Sequence, residues 1–267
     1  MDTKTGVTLL ASGSNGNCIA ISFQGKTLLV DCGIAHRALK QRLMQCGIPE
    51  ESLCGILLTH AHSDHIKGVE TTARQYGLPV YSTEKCFDGV LEYHEKHHTG
   101  KKFSLLSRTF EAGYSFSCAQ FTVSTFPVQH DVETVGYVLS TPRCKVGIAT
   151  DVGHPTNLME SFLKDSHVLV LESNYDPDML ITSNRSWELK HRICGGSGHL
   201  SNRQAADLLP RIVSRNTQSV LLAHISEECN RYDLAMEAAR QSLADLHRED
   251  VFLTYGSREA PIPTVWC

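Results

Sequence analysis

Four side chains able to bind a metal ion fall within the six residues from His60 to His65, which read His-Ala-His-Ser-Asp-His. A random chain of the same composition would contain this pattern only ~0.002 times. A solvated polar turn is the alternative, but imidazoles packed this closely repel one another when protonated. Because residues i and i+2 of an extended segment point to the same side, His60 and His62 can hold one ion. Asp64 and His65 lie beyond the turn and point elsewhere, which predicts a second ion.

The order of apolar patterns along the 267 residues predicts strands early in the chain and alternating helices and strands later. Such an order is typical of sheets covered by outer helices, an α/β fold (α+β in some schemes). Since no Pro-, Gly- or Ser-rich linker divides the chain, we predict one domain over residues 1–267. The predicted strands are 6–11, 17–23, 26–31, 55–59, 120–128, 135–140, 145–150, 168–171, 219–223 and 251–254, and the predicted helices are 34–46, 64–76, 84–94, 157–163, 201–213 and 233–246.

Three further candidate ligands, His130, Asp151 and His224, stand where a predicted strand runs into a loop. Loops at strand ends are the usual place for active-site residues. Each has a plainer interpretation, since Asp151 could cap a helix and the two histidines could be satisfied polar groups at a sheet edge. Their recurrence at strand ends, together with the motif that begins at His60, favours the ligand interpretation.

Two glycine-rich stretches can turn backbone N–H groups toward an anion. The first, residues 12–17, could also be a plain turn. Its candidate substrate-binding residues are Ser12, Ser14, Asn15 and Asn17. In the second, residues 195–202, Ser201 can cap the next helix at a phosphate site, and His199 can act as phosphate donor or general acid. A basic cluster, either a patch that tracks a nucleic-acid backbone or a solvated face, is formed by Arg185, Lys190, His191 and Arg192.

Charge and cysteine content limit the partners and the compartment. The chain has 25 Lys and Arg against 29 Asp and Glu, a net charge of −4, so no overall positive field attracts a polyanion. Its 10 cysteines are scattered singly, without a Cys-x-x-Cys pair, which predicts reduced thiols. No apolar run approaches the ~20 residues of a membrane span, and the first apolar stretch is too short for a signal peptide. We therefore expect a soluble cytoplasmic protein without a membrane partner.

The candidate residues together resemble the ordered motifs of the metallo-β-lactamase superfamily, spread over nearly the whole chain. These are Asp31, the motif from His60 to His65, His130, Asp151 and His224. Residues 11–17, 172–176 and 198–202 narrow the resemblance to the bacterial YycJ/WalJ (VicX) group, associated with DNA processing and 5′-to-3′ exonuclease activity. The resemblance implies a four-layer αβ/βα sandwich with the metal site at one edge. The long RNA-clamping insertion of ribonuclease J has no room here, which argues against RNA processing of that type.

The resemblance also implies two sets of metal ligands and a residue shared between them. One metal would be held by His60, His62 and His130, and the other by Asp64, His65 and His224, with Asp151 bridging the two. The expected catalytic residues are Asp64, Asp151 and His199.

Two divalent metal ions are therefore expected as cofactors. Three imidazoles with a shared oxygen suit zinc, and the mixed carboxylate and imidazole set also accepts Mn²⁺ or Fe²⁺. Asp31 would either hydrogen-bond a ligand imidazole and fix its tautomer, or cap the helix that follows.

Two neighbouring cations acidify water between them and neutralise the charge that builds up on a reacting phosphorus or carbonyl. We expect a dinuclear phosphodiesterase, a 5′-to-3′ exonuclease with DNA as its partner. One alternative is a thioester or lactone hydrolase similar to glyoxalase II, for which an apolar pocket would be needed. The other is a non-catalytic regulatory or nucleic-acid-binding module, against which the full set of candidate ligands argues.

Overall fold

The computed structural model describes residues 3–98, 100 and 102–267. Two seven-stranded sheets lie face to face, and helices cover their outer surfaces. This arrangement confirms the predicted α/β class and the four-layer order of the sandwich. None of the described helices combines the length and the apolar character needed to cross a membrane.

The N-terminal sheet contains β1 (Gly6–Ala11), β2 (Cys18–Phe23), β3 (Lys26–Val30), β4 (Leu53–Leu57), β5 (Pro79–Ser82), β6 (Leu106–Thr109) and the short last strand β14 (Val265–Trp266). Its spatial order is β14-β1-β2-β3-β4-β5-β6. The predicted hairpin between β2 and β3 turns at Gln24 and Gly25, both with positive φ. Strands β3 to β6 are parallel, so their carboxyl ends meet at one edge.

The C-terminal sheet contains β7 (Ser115–Cys118), β8 (Phe121–Val128), β9 (Thr134–Ser140), β10 (Lys145–Ala149), β11 (Val168–Glu172), β12 (Ser219–Ala223) and β13 (Phe252–Tyr255). Its spatial order is β13-β12-β11-β10-β9-β8-β7. Strands β10 to β13 are parallel, like β3 to β6 of the other sheet. Both sheets therefore deliver the carboxyl ends of buried parallel strands to loops, where functional residues are usually found.

The helices divide between the two outer faces. Those of the first half are α1 (His36–Gln45), α2 (Ser63–Ile66), α3 (Val69–Tyr76) and α4 (Glu84–His97), and those of the second half are α5 (Asn157–Leu163), α6 (Pro177–Thr182), α7 (Trp187–Cys194), α8 (Asn202–Ile212) and α9 (Tyr232–Asp245). Leu39 of α1 and Val90 of α4 pack on the N-terminal sheet. Leu208 of α8 and Ala239 of α9 pack on the C-terminal sheet. The core between the sheets is closed by residues of both.

Sequence patterns located most elements within two residues, but one predicted helix is interrupted. The helix expected over 64–76 is two helices, because α2 ends at Ile66 and α3 begins at Val69. At the break, the Gly68 N–H donates to the carbonyl of Cys32 (2.8 Å). A Cβ at Gly68 would lie 2.0 Å from the carbonyl oxygen of Ile34, so only glycine permits this approach. The sequence patterns also missed β5, β6, β7, β14, α6 and α7.

The expectation that every cysteine is reduced is wrong for one pair. A disulfide joins Cys144, in the turn between β9 and β10, to Cys267 at the end of the chain. The two residues are 123 positions apart, a separation that gives no local spacing signal. The pair comes together because β14 adds to β1 at the edge of the N-terminal sheet.

We predict that Tyr137→Phe lowers the stability of the protein. The fully buried Tyr137 hydroxyl of β9 donates a 2.6 Å hydrogen bond to the carbonyl of Leu58, two residues before His60, and so connects the two sheets. Its loss leaves a buried carbonyl without that donor, which costs about 1–3 kcal/mol. Urea unfolding measures this difference, with Tyr114→Phe as the control because Tyr114 is exposed. Equal unfolding free energies for Tyr137→Phe and the parent protein would contradict the prediction.

Candidate metal centre

Strand ends at one edge of the sandwich hold the predicted site residues, and three of them have a left-handed backbone. Asp31 follows β3, Asp151 follows β10 and His224 follows β12, with φ values of 60°, 58° and 55°. Asp and His adopt this region more readily than most side chains, although it costs energy. At each of these three residues, the left-handed conformation turns the backbone sharply just after the strand ends. Strain of this kind is concentrated at functional sites.

The first group of candidate ligands is formed by His60, His62 and His130, whose ring nitrogens lie within 4.8 Å of one another. His60 Nε2 is 3.0 Å from His62 Nδ1. Burial lowers the pKa of His60 well below its usual value, and the neighbouring imidazoles lower it further. His60 is therefore neutral, the state that binds a metal ion.

The second group is formed by Asp64, His65 and His224, which also meet within 4.8 Å. Asp64 Oδ2 lies 3.3 Å from His65 Nε2 and 3.4 Å from His224 Nε2. Burial opposes the charged form of Asp64, but contact with His65 and His224 lowers its pKa below the usual range. The carboxylate is thus charged and faces two imidazoles.

Asp151 lies between the two groups and contacts both. Its Oδ1 is 3.5 Å from His224 Nε2 and 3.9 Å from His130 Nε2, and its Oδ2 is 3.4 Å from His65 Nε2. The residue is almost fully buried. This is the arrangement expected of a carboxylate that could bridge two ions.

Two buried polar atoms at the centre fit the presence of metal ions. His130 Nε2 and Asp151 Oδ2 are inaccessible to solvent, and neither makes a well-aligned hydrogen bond among the described residues, although Asp131 Oδ1 lies 3.2 Å from the first and His65 Nε2 lies 3.4 Å from the second. Buried polar atoms of this kind are costly unless they are satisfied by a partner, a water or an ion. Together with the imidazole and carboxylate donors around them, they fit a pair of divalent ions.

Asp31 contacts one of the candidate ligands from outside both groups. Its Oδ2 is 2.8 Å from His65 Nδ1, and its two oxygens accept hydrogen bonds from the N–H and the hydroxyl of Thr59 (both 2.9 Å). The helix-cap alternative is not observed, because α1 begins at His36 and Ala35 occupies its cap position. A carboxylate in this position fixes which ring nitrogen of His65 faces a metal.

Glu172 at the end of β11 is a functional candidate that sequence reasoning missed. Its Oε1 lies 2.8 Å from His199 Nδ1 and 3.0 Å from His224 Nδ1, while Oε2 accepts hydrogen bonds from the N–H groups of Val152 (2.8 Å) and Leu200 (3.0 Å). One buried carboxylate therefore orients two imidazoles. The available signal was a charged residue ending an otherwise apolar strand, within a stretch already noted for its resemblance.

Two more orienting groups were not evident in the sequence. The carbonyl of Gly198 lies 2.9 Å from His130 Nδ1, which turns Nε2 of that ring toward the centre. Asp131 Oδ1 lies 3.3 Å from His62 Nε2, the ring nitrogen opposite the one that faces His60, and so orients that ring. A carbonyl has no residue-type signature, and Asp131 could be found only by its position beside His130.

The first glycine-rich loop divides into residues that support the centre and residues that face solvent. The Ser12 hydroxyl accepts a 2.7 Å hydrogen bond from the His224 N–H and is buried. Asn17 is buried too, and its amide nitrogen donates to Asp64 Oδ2 (3.1 Å). Ser14 and Asn15 are exposed, and Ser14 lines the cleft above the ligand groups.

The second glycine-rich stretch brings His199 to the cleft and uses Ser201 as a helix cap. The Ser201 hydroxyl accepts a hydrogen bond from the N–H of Gln204, and the Gln204 side chain accepts one from the N–H of Ser201. These two backbone N–H groups at the start of α8 are therefore both satisfied. His199 stacks on His224 with ring centroids 5.2 Å apart. Because Nδ1 of His199 contacts Glu172, the other ring nitrogen of His199, Nε2, faces the cleft.

The predicted basic cluster is only partly a free positive surface. Arg185 and Arg192 line the cleft, but Arg185 pairs with Glu228 (2.7 Å) and Arg192 pairs with Asp131 (2.8 Å from Nε). Lys190 is buried and donates to the carbonyl of Ile181. Two guanidinium groups therefore stand at the wall of a cleft of about 170 Å³, each held by a carboxylate.

Comparisons with known proteins agree on one superfamily. The model of the beta-lactamase superfamily domain matches residues 26–225. Exodeoxyribonuclease YycJ of Bacillus anthracis is 34% identical over 239 residues, which are 89% of this chain and 89% of that protein. Exodeoxyribonuclease WalJ of Streptococcus pneumoniae is 32% identical over 229 residues, 85% of this chain and 84% of that protein.

Solved structures share the fold at lower identity. The metallo-beta-lactamase fold protein YhfI from Bacillus subtilis superimposes with a TM-score of 0.71 and 17% identity, covering 98% of this chain and 99% of that chain. The short form of human tRNase Z superimposes with a TM-score of 0.65 and 17% identity, covering 96% of this chain and 98% of that chain.

We predict that Glu172→Gln weakens metal binding by about 10- to 100-fold, the usual effect of losing a group that orients metal ligands. The glutamine oxygen must face the N–H groups of Val152 and Leu200, so its NH₂ group would face the imidazoles of His199 and His224. Competition with a chromophoric chelator measures the affinity. Glu237→Gln on the exposed side of α9 is the matched control. Equal affinities in the two variants would contradict the role of Glu172.

We also predict that metal binding releases protons. Burial opposes the charged form of His224, but Asp151, Asp64 and Glu172 raise its pKa to about 10. The imidazole therefore holds a proton at neutral pH in the metal-free protein, and a metal ion must displace that proton. Affinity should fall as the pH is lowered. Titration calorimetry in two buffers of different ionisation enthalpy measures the release, and identical heats in both would contradict the prediction.

Proposed function

Since the chain belongs to the metallo-β-lactamase superfamily, we propose that it is a dinuclear metal-dependent phosphodiesterase that shortens DNA from the 5′ end. The observation that carries the proposal is the contact of one buried carboxylate, Asp151, with two adjacent groups of candidate ligands. The names of the relatives from Bacillus anthracis and Streptococcus pneumoniae support DNA as the substrate, because each covers most of this chain. The 5′ polarity rests on the sequence resemblance described above.

Two divalent ions would be held by seven residues, with zinc favoured and Mn²⁺ or Fe²⁺ also suited to the donor set. His60, His62 and His130 would hold one, Asp64, His65 and His224 the other, and Asp151 both. When bound, such a pair lowers the pKa of water and neutralises charge on a reacting phosphate. The orienting contacts of Asp31, Glu172 and Gly198 keep the imidazole nitrogens directed inward.

His199 would donate a proton to the leaving oxygen. Its Nδ1 is held by the buried carboxylate of Glu172, so the proton available to a substrate is the one on Nε2. The same contact holds the ring in the orientation that presents Nε2 to the cleft. The exposed hydroxyl of Ser14 and the guanidinium groups of Arg185 and Arg192 line the same cleft and can contact phosphate oxygens.

The cleft chemistry favours a phosphodiester over the substrates of the alternative hydrolase. A thioester or lactone would gain from an apolar pocket, whereas most residues that line this cleft are imidazoles, carboxylates and arginines, with Leu189 and Ile193 as the large apolar side chains. Each arginine can release its carboxylate and bind phosphate oxygens instead, because a guanidinium group contacts both kinds of oxygen with the same geometry.

Labelled DNA tests the proposal directly. The metal-loaded protein is incubated with strands labelled at the 5′ or the 3′ end, both blunt and recessed, beside a closed circular control. We expect early release of the 5′ label as short products, no cutting of the circle, and no reaction in chelator. Rapid cutting of the circle would identify an endonuclease. If the protein cleaves none of the DNA forms but turns over a lactone or S-lactoylglutathione, it is the alternative hydrolase. If it acts on none of these compounds, it is a non-catalytic module.

We predict that His199→Ala keeps its metal ions but loses about 10²-fold or more in turnover of DNA, the usual contribution of a general acid. The metal content follows because neither of the two proposed sets of ligands includes His199. His199 also meets Asp151, Glu172 and His224 within 4.8 Å, so metal content is the measurement that tests this assignment. Elemental analysis and the rate of label release measure the two effects. His97→Ala, at an exposed histidine in the last turn of α4, serves as the control. A parallel loss of metal and activity would make His199 a ligand instead.

A further inference from the structure

A second cavity lies beside the metal cleft, between the start of α9 and the end of β13. Its volume is about 850 Å³, within the range of ~300–1,000 Å³ that is usual for ligand sites. Ser226, two residues after His224, lines both this cavity and the metal cleft. Ser226 is itself buried, so the cleft and the cavity adjoin each other at this residue.

Two aromatic rings form one wall of the cavity. Tyr232 and Tyr255 are stacked, with ring centroids 4.5 Å apart and planes inclined by 14°. Tyr232 is the first residue of α9 and Tyr255 is the last residue of β13, so both rings are attached to regular elements. Both are half-buried, and they pack against the core of the C-terminal sheet, which fixes their orientation.

The charges around the cavity disfavour a phosphate. Arg231 pairs with Asp233, and Arg258 pairs with Glu227 at 3.4 Å. Glu259 adds a further negative charge to the lining. The lining thus carries three carboxylates against two guanidinium groups, and none of its residues belongs to a group of candidate metal ligands. A phosphate meets a net negative charge there, whereas a neutral flat ring can stack on tyrosine and meet carboxylates that accept from its amino groups.

We propose that this cavity binds a nucleobase of the DNA strand, stacked on the Tyr232 and Tyr255 pair, while the neighbouring phosphate lies in the metal cleft. The proposal rests on the proposed function and names the part of the substrate that the cavity recognises. A base can reach the tyrosines only when it is unstacked and unpaired from its complement. The site therefore selects single-stranded or frayed ends, and it tolerates any sequence because every base has a stacking face.

The test uses Tyr255→Leu, which keeps an apolar side chain but removes the ring, beside Tyr255→Phe, which keeps the ring. A single-stranded oligonucleotide containing 2-aminopurine and phosphorothioate linkages, which slow cleavage, is the probe. In the wild-type protein we expect the base fluorescence to be quenched on binding. Tyr255→Leu should bind about 10-fold more weakly without the quench, the usual loss for one stacked base, and Tyr255→Phe should resemble the wild type.

Kinetics, metal content and thermal unfolding connect the effect to the base. Tyr255→Leu should raise KM for single-stranded DNA with little change in kcat. Tyr114→Leu is the matched control, since Tyr114 is an exposed tyrosine that lines a different cavity. Metal content and thermal unfolding are measured on the same samples. The stacking role would be overturned if Tyr255→Phe bound the probe as weakly as Tyr255→Leu. It would also be overturned if the weaker binding of Tyr255→Leu were accompanied by a loss of metal or of the fold.

DNA cleavage and probe binding by the wild type separate the stacking site from the nuclease activity. If the wild type shortens DNA and Tyr255→Leu binds the probe as tightly as the wild type, the stacking site is wrong and the nuclease stands. If the wild type neither binds the probe nor cleaves DNA, both are overturned.

Discussion

The carboxylate of Asp151 contacts imidazoles from two ligand groups, and the fold around it is arranged to keep this buried charge in place. Taking a carboxylate out of water costs several kcal/mol unless partners compensate. The left-handed backbone of Asp31, Asp151 and His224 adds roughly 1–3 kcal/mol at each residue. Burial of apolar side chains in the layered cores of the two sheets offsets both costs. The fold therefore maintains a centre that is unfavourable by itself and that bound cations would stabilise.

The candidate ligands could be found from sequence because each obeys a local rule. His60 and His62 are two residues apart in an extended segment, and His130, Asp151 and His224 each follow a strand that reads clearly as buried. Strands β10 to β12 are parallel, and β8 runs in the same direction because β8 and β10 are both antiparallel to β9, so these ends meet at one edge whatever the intervening lengths. The rule does not extend to the break between α2 and α3, where the approach of Gly68 to Ile34 overrides a good helical pattern.

The orienting groups could not be found in the same way, because their roles depend on contacts across the fold. Glu172 reads as the last residue of an apolar strand, and only the approach of His199 from the loop before α8 shows that one carboxylate serves two imidazoles. Gly198 acts through its carbonyl, and a Cβ there would lie 2.1 Å from the carbonyl oxygen of Ile193. The disulfide of Cys144 likewise depends on the pairing of β14 with β1.

Charge separates the two recesses that meet at Ser226. In the metal cleft, cation positions and the arginines at the wall suit a phosphate, and the small volume admits little else. In the neighbouring cavity three carboxylates outnumber two arginines, none of the lining residues belongs to a group of candidate metal ligands, and two stacked tyrosines form one wall. A strand with a charged backbone and flat neutral bases matches this alternation, since its phosphate and its base require opposite environments a few ångströms apart. A lactone has no second part to place beside Tyr232 and Tyr255, and the glutathione part of S-lactoylglutathione has no flat ring to stack on them. The pair of recesses therefore favours a polynucleotide.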